Sequence, residues 1–173
     1  MDRYGRFGLE KNAKSRPKIL RDIIGNMARH SFPYYPVLID PSPAFPNGYT
    51  AHRPAAFVSL RVANNRTSEF LAVMDTGADH CMFPSDYLAV LGLDKASLPT
   101  STVHGVGTDD GTRFATVNLS IGQLEEWPVY ASFSDHWMGQ HVGFLGHFGF
   151  FNRFTTNFDP HSRICEVGDL SNG

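Results

Sequence analysis

The chain has 173 residues, 42% apolar, 13% aromatic and 18% charged. That is enough apolar surface for one core of ordinary size, too little charge for a disordered chain, and too short a length for two full lobes. The net charge of −2 is unevenly spread: residues 1–30 hold eight Lys/Arg against three Asp/Glu, and the remainder seven against fourteen. The basic residues of the head are interspersed with apolar ones rather than run together, which argues against a nucleic-acid-binding arm.

Two cysteines, Cys81 and Cys165, are not a disulfide framework. No apolar run reaches the roughly 18 residues that read as a membrane span, and the start, with Arg3, Arg6, Glu10 and Lys11, lacks a signal peptide's apolar stretch. A cytoplasmic protein without a transmembrane segment is expected.

In chain order, Ile19, Leu20, Ile23, Ile24 and Met27 recur at helical spacing and predict one amphipathic helix over Pro17–His30. Between Ser31 and Pro54 six prolines remove backbone donors, so an extended arm is expected there, with no helix and no central strand. From residue 55 short apolar runs alternate with turn residues. A hairpin is expected over Ala56–Ala63 and Glu69–Met74. Further strands are expected over Thr100–Val106, Arg113–Ile121, Trp127–Phe133, Val142–Leu145, Thr155–Phe158 and Ile164–Val167, with helical pieces at Ser85–Leu91 and His147–Phe151. Many short strands predict an all-β barrel or sandwich. The expected division is an N-terminal extension, residues 1–54, and a β-domain, residues 55–170.

The segment richest in chemistry is Phe70-Leu71-Ala72-Val73-Met74-Asp75-Thr76-Gly77-Ala78-Asp79, an apolar strand running into a carboxylate, a hydroxyl and a glycine. A buried strand holds the carboxylate rigidly, Thr76 can bond across to a symmetry mate, and Gly77 lets backbone and substrate approach closely. Downstream, Val142-Gly143-Phe144-Leu145-Gly146-His147 is a second apolar pair closed by glycine. An Asp-Thr-Gly triplet alone also fits a plain β-turn. Set after an apolar strand, before Ala78 and upstream of the second glycine element, it resembles the retropepsin-like aspartic peptidases, bacterial type, over residues 55–168.

That resemblance implies an acid-protease barrel with a short helix after the second glycine element, whose Leu145, Gly146 and His147 support the loop from behind. It implies aspartic endopeptidase activity with Asp75, Thr76 and Gly77 as the catalytic set and no cofactor or metal. Since only one such triplet occurs, the second carboxylate must come from another copy, so a homodimer is expected. Its two Asp75 side chains would share one proton and activate water on a peptide substrate.

Ala78, Asp79 and Phe144 are the expected substrate-binding residues, together with Gly105, Val106 and Gly107 of a flap over His104–Thr112; an ordinary hairpin turn at Asp110-Gly111 is the alternative. A basic residue after the second glycine pairs with the aspartate four past the catalytic one in relatives. Here this implies a His147–Asp79 pair. The eight histidines show no zinc-type spacing, so no metal is expected. The alternative function is a catalytically weak or inactive module of the same fold that binds peptide or dimerises. A further expectation is that Phe32–Ala44 threads the chain's own groove until cut.

Overall fold

The computed structural model describes residues 29–101, 112–135 and 142–169. They form eleven strands: β1 (Arg29–Ile39), β2 (Tyr49–Val62), β3 (Asn65–Arg66), β4 (Phe70–Met74), β5 (Met82–Pro84), β6 (Thr100–Ser101), β7 (Thr112–Ile121), β8 (Trp127–Ser134), β9 (Gly143–Leu145), β10 (Phe154–Asp159) and β11 (Ile164–Asp169). One helix, α1 (Asp86–Val90), follows β5, and a 3-10 turn spans Lys95–Ser97. The all-β class read from the alternating pattern is what the chain adopts.

The strands run in the order β10-β11-β1-β2-β4-β9-β5-β8-β7-β6, and β2 also pairs β7. That extra pairing, Val58↔Ile121 to Arg61↔Asn118, joins the ends of the path β2-β4-β9-β5-β8-β7 and closes a barrel, which removes edges there. Two of its pairings, β4 with β9 and β5 with β8, are parallel. Strands β10, β11 and the first half of β1 hang off the barrel as a flanking layer.

Alternation along β2 and β7 turns Val58, Leu60, Val117, Leu119 and Ile121 inward, where each is at most 1% exposed. Phe83, Phe133 and Phe150 fill the middle and are likewise buried. Removing each such side chain from water stabilises the fold by about 2–3 kcal/mol before entropy is counted. At the end of α1, Gly92 takes φ +72°; its amide donates to Ala89 and that of Leu93 to Leu88. This is a Schellman ending, and Asn65 adds a bond to the Leu91 carbonyl at 3.1 Å.

Three sequence expectations are corrected. First, the proline-bearing segment is a strand inside the sheet: β1 pairs β11 over Arg29–Pro33 and β2 over Tyr34–Ile39. The Tyr34 amide donates to the Arg163 carbonyl, so by antiparallel alternation even-numbered amides of β1 face β11 and odd-numbered ones face β2. Pro33 therefore aims its missing donor at the β2 side before that pairing begins. Pro36 aims its own at the β11 side after that pairing has ended. Neither proline removes a ladder bond. Phe32–Ile39, being paired, is also unavailable to thread a groove.

Second, Arg29 and His30 open β1 rather than end a helix; the rest of the expected helix, residues 17–28, lies outside the described residues. Third, His147–Phe151 is a run of turns. Gly149 stands at φ +106°, where a right-handed helix cannot pass, and bonds such as Asn152 to the His147 carbonyl at 2.9 Å close the loops instead.

Candidate active site

Strand β4 is buried along nearly its whole length, from Phe70 to Met74. Antiparallel β2 lies on one side of it and parallel β9 on the other, so the chain leaves Met74 at a determined place and direction. Asp75 comes next. Its amide donates to the Leu145 carbonyl at 3.1 Å, and its carbonyl accepts from Ala78 at 3.1 Å. Its side-chain Oδ1 accepts from the Gly77 amide at 2.9 Å. The carboxylate is half-buried, while Thr76, Gly77 and Asp79 are exposed and Ala78 is intermediate. A rigid base thus carries an open acidic tip.

The second glycine element braces this loop from behind. His147 donates its amide to the Ala78 carbonyl and Phe148 to that of Asp79, both at 2.8 Å, and Cys81 donates to the Phe148 carbonyl at 3.2 Å. With the Asp75–Leu145 bond, the segment from 75 to 81 is tied down at both ends. Such close approach requires Gly146: a Cβ there would stand 2.3 Å from the His80 oxygen and 2.8 Å from that of Ala78. Gly143 is constrained more softly, by the Phe83 ring at 2.9 Å from such a Cβ. Phe144 lies between Val73 of β4 and Met82 of β5.

Thus Asp75, Thr76, Gly77, Ala78 and Asp79 meet Phe144, Leu145, Gly146 and His147 in one place. Gly105, Val106 and Gly107 lie outside the described residues. No His147–Asp79 ion pair occurs among the described residues, whose ion pairs are Arg29–Glu166, Arg61–Glu126 and Lys95–Asp135. His147 contributes its backbone, and its ring meets that of Phe148 edge-on at 5.4 Å. Phe150 and Phe154 pack inside, whereas Phe148 is 61% exposed.

Sequence reasoning gave no role to His80. Its ring lies 5.2 Å from that of Phe114, and its Nε2 is buried with no hydrogen-bond partner among the described residues. Burial lowers the imidazole below its ordinary pKa, opposed by the neighbouring Asp79 charge. A histidine beside a loop carries no sequence signal of burial. Cys81, just after it, is fully buried, and its thiol is pushed up to about 11 by that burial, which makes it a packing residue at neutral pH. Trp127 is a core residue whose Nε1 donates to Gly149 at 2.8 Å. Among the described residues no cluster of three or more His, Cys, Asp or Glu could hold a metal ion, and no helix is long and apolar enough to cross a membrane.

No protein-family model matches the chain, and no curated protein matches it. Among solved structures it is similar to the crystal structure of a retropepsin-like aspartic protease from Rickettsia conorii, at 12% identity and a TM-score of 0.49, over 83% of this chain and 94% of that one.

Proposed function

We propose that the chain is one half of an aspartic endopeptidase, whose active site forms when two copies bring their Asp75 side chains together on a twofold axis. The observation that carries this reading is the seating of Asp75: a carboxylate at the end of a buried strand, tied to Leu145 by its backbone and to Gly77 by its side chain, with the exposed Thr76-Gly77 tip beside it. One such loop supplies one carboxylate, and hydrolysis of an amide by this route needs two. Two carboxylates about 3 Å apart hold a single proton between them. The charged member then takes a proton from water while the protonated member polarises the scissile carbonyl. Bracing by Gly146 and the β9 turn limits reorganisation of the loop during the reaction.

Incubation of the full chain and of Asp75→Asn with a diverse peptide library between pH 4 and 7, read by mass spectrometry, tests the reading. Cleavage by the native chain, blocked by a non-hydrolysable transition-state peptide, is expected, and Asp75→Asn should lower it by about a hundredfold or more. A chain that is dimeric and cleaves nothing would instead be a peptide-binding or dimerising module of this fold.

A further inference from the structure

The first two strands outrun the body of the protein. β2 pairs β4 from Val58↔Phe70 to Ala55↔Val73, which sets Pro54 opposite Met74 and Arg53 opposite Asp75. There β4 stops and the chain turns away, but β2 continues back to Tyr49, paired with β1 alone over six residue pairs from Tyr34↔Pro54 to Ile39↔Tyr49. A two-stranded ribbon therefore begins beside Asp75 and runs on for about 20 Å in the direction in which β4 ends. Over residues 49–53 the edge of β2 away from β1 has no strand partner among the described residues.

The ribbon carries exposed apolar side chains on both faces, among polar ones such as Asp40, Thr50, His52 and Arg53. Leu38 is 60% exposed, Phe45 49% and Tyr49 38%, and Phe57 near its base is 47% exposed. Phe45 and Tyr49 meet at the tip, tilted at 43° with ring centroids 4.5 Å apart, and Tyr35 meets Phe57 edge-on at 5.5 Å. Lone two-stranded hairpins are marginal in water, and a bare strand edge invites pairing.

We infer that this ribbon, Tyr34–Pro54, is a clasp that closes over a second copy of the same chain. The occupant follows from position, because the ribbon projects at the very loop that needs a second copy to be complete. It also follows from area. A ribbon about 20 Å long and 10 Å wide presents about 200 Å² on a face. Two symmetry-related ribbons with the surfaces they cover come to about 800 Å², half of a standard interface of about 1,600 Å². This inference deepens the homodimer reading above and rests on it.

The test is sedimentation equilibrium of the full chain, of the triple variant Leu38→Ser, Phe45→Ser, Tyr49→Ser, and of a chain in which residues 40–48 are replaced by Asn-Gly, alongside peptide cleavage. All three substituted side chains are exposed, and the shortened turn keeps the Ile39↔Tyr49 register if the triple variant misfolds. A native dimer whose dissociation constant rises at least tenfold in either folded variant supports the clasp. So does cleavage that is recovered by raising the variant's concentration. An unchanged dissociation constant, or a native chain that is monomeric at 100 μM, overturns it. The two readings separate cleanly: cleavage lost in Asp75→Asn with an unchanged variant dimer means that the clasp fails and the peptidase stands, whereas a clasped dimer that cleaves nothing means the reverse.

Discussion

Replacing Gly146 by alanine probes the bracing of the Asp75 loop by a single methyl group. Gly146 is not among the positive-φ residues, so alanine meets no left-handed backbone penalty and the cost to weigh is contact. The added Cβ would lie 2.3 Å from the His80 carbonyl oxygen, 2.5 Å from its carbon and 2.8 Å from the Ala78 oxygen. These are backbone atoms that cannot rotate aside. Restoring an ordinary carbon–oxygen separation needs the loop and the β9 turn to part by about 1 Å, and the His147–Ala78 and Phe148–Asp79 bonds, both 2.8 Å, do not survive that. Overpacking costs about 1–3 kcal/mol and each of the two lost bonds about 1 kcal/mol, so a loss of about 3–5 kcal/mol is expected. Against a total stability of about 5–15 kcal/mol this is a large fraction. Gly143→Ala is the control: its methyl meets side chains, the Phe83 and Phe70 rings at 2.9 and 3.1 Å, and about 1–2 kcal/mol is expected from overpacking alone. Urea unfolding of both variants at one protein concentration, with fluorescence and circular dichroism read together, gives the two losses. A Gly146→Ala loss below about 1 kcal/mol, or one no larger than that of Gly143→Ala, would falsify the bracing argument.

Two further predictions concern charge and thiols. Glu126 is bound by Arg61, whose Nε donates at 2.8 Å and whose Nη2 contacts the same oxygen, and that bond holds its carboxyl below the usual range. A depressed folded pKa contributes stability above the unfolded carboxylate value of about 4.3 that is lost as pH falls through the folded one. Glu126→Gln should therefore lower the urea midpoint at pH 7, by a difference that shrinks as pH falls below the usual carboxylate range; a difference that stays constant as pH falls would rule out the linkage. Burial pushes the thiols of Cys81 and Cys165 up to about 11 and about 12. At pH 8 a disulfide reagent should titrate no thiol in the folded chain and two in urea, and rapid native labelling of Cys81 would show that the segment behind the Asp75 loop opens.

The sequence by itself determined the local features. Period-two alternation in Ala56–Ala63 and Arg113–Ile121 marked strands, because one face of each had to be apolar. The run Phe70–Met74 into Asp75-Thr76-Gly77 marked a carboxylate at the end of a buried strand and a glycine that allows close approach, whereas the packing of Gly146 against the His80 and Ala78 backbone came from the tertiary structure. Tertiary structure alone decided what depended on partners. Whether a proline breaks a strand turns on which edge its missing donor faces, and Pro33 and Pro36 face edges where no strand runs, which counting prolines cannot reveal. Whether His147 reaches Asp79 turns on side-chain direction after a run of turns set by Gly149 at φ +106°. The burial of His80 and the ribbon that leaves the barrel beside Asp75 depend equally on register, on Ala55 lying opposite Val73, and pairing at that distance is chosen by the packed core rather than by any short stretch of chain.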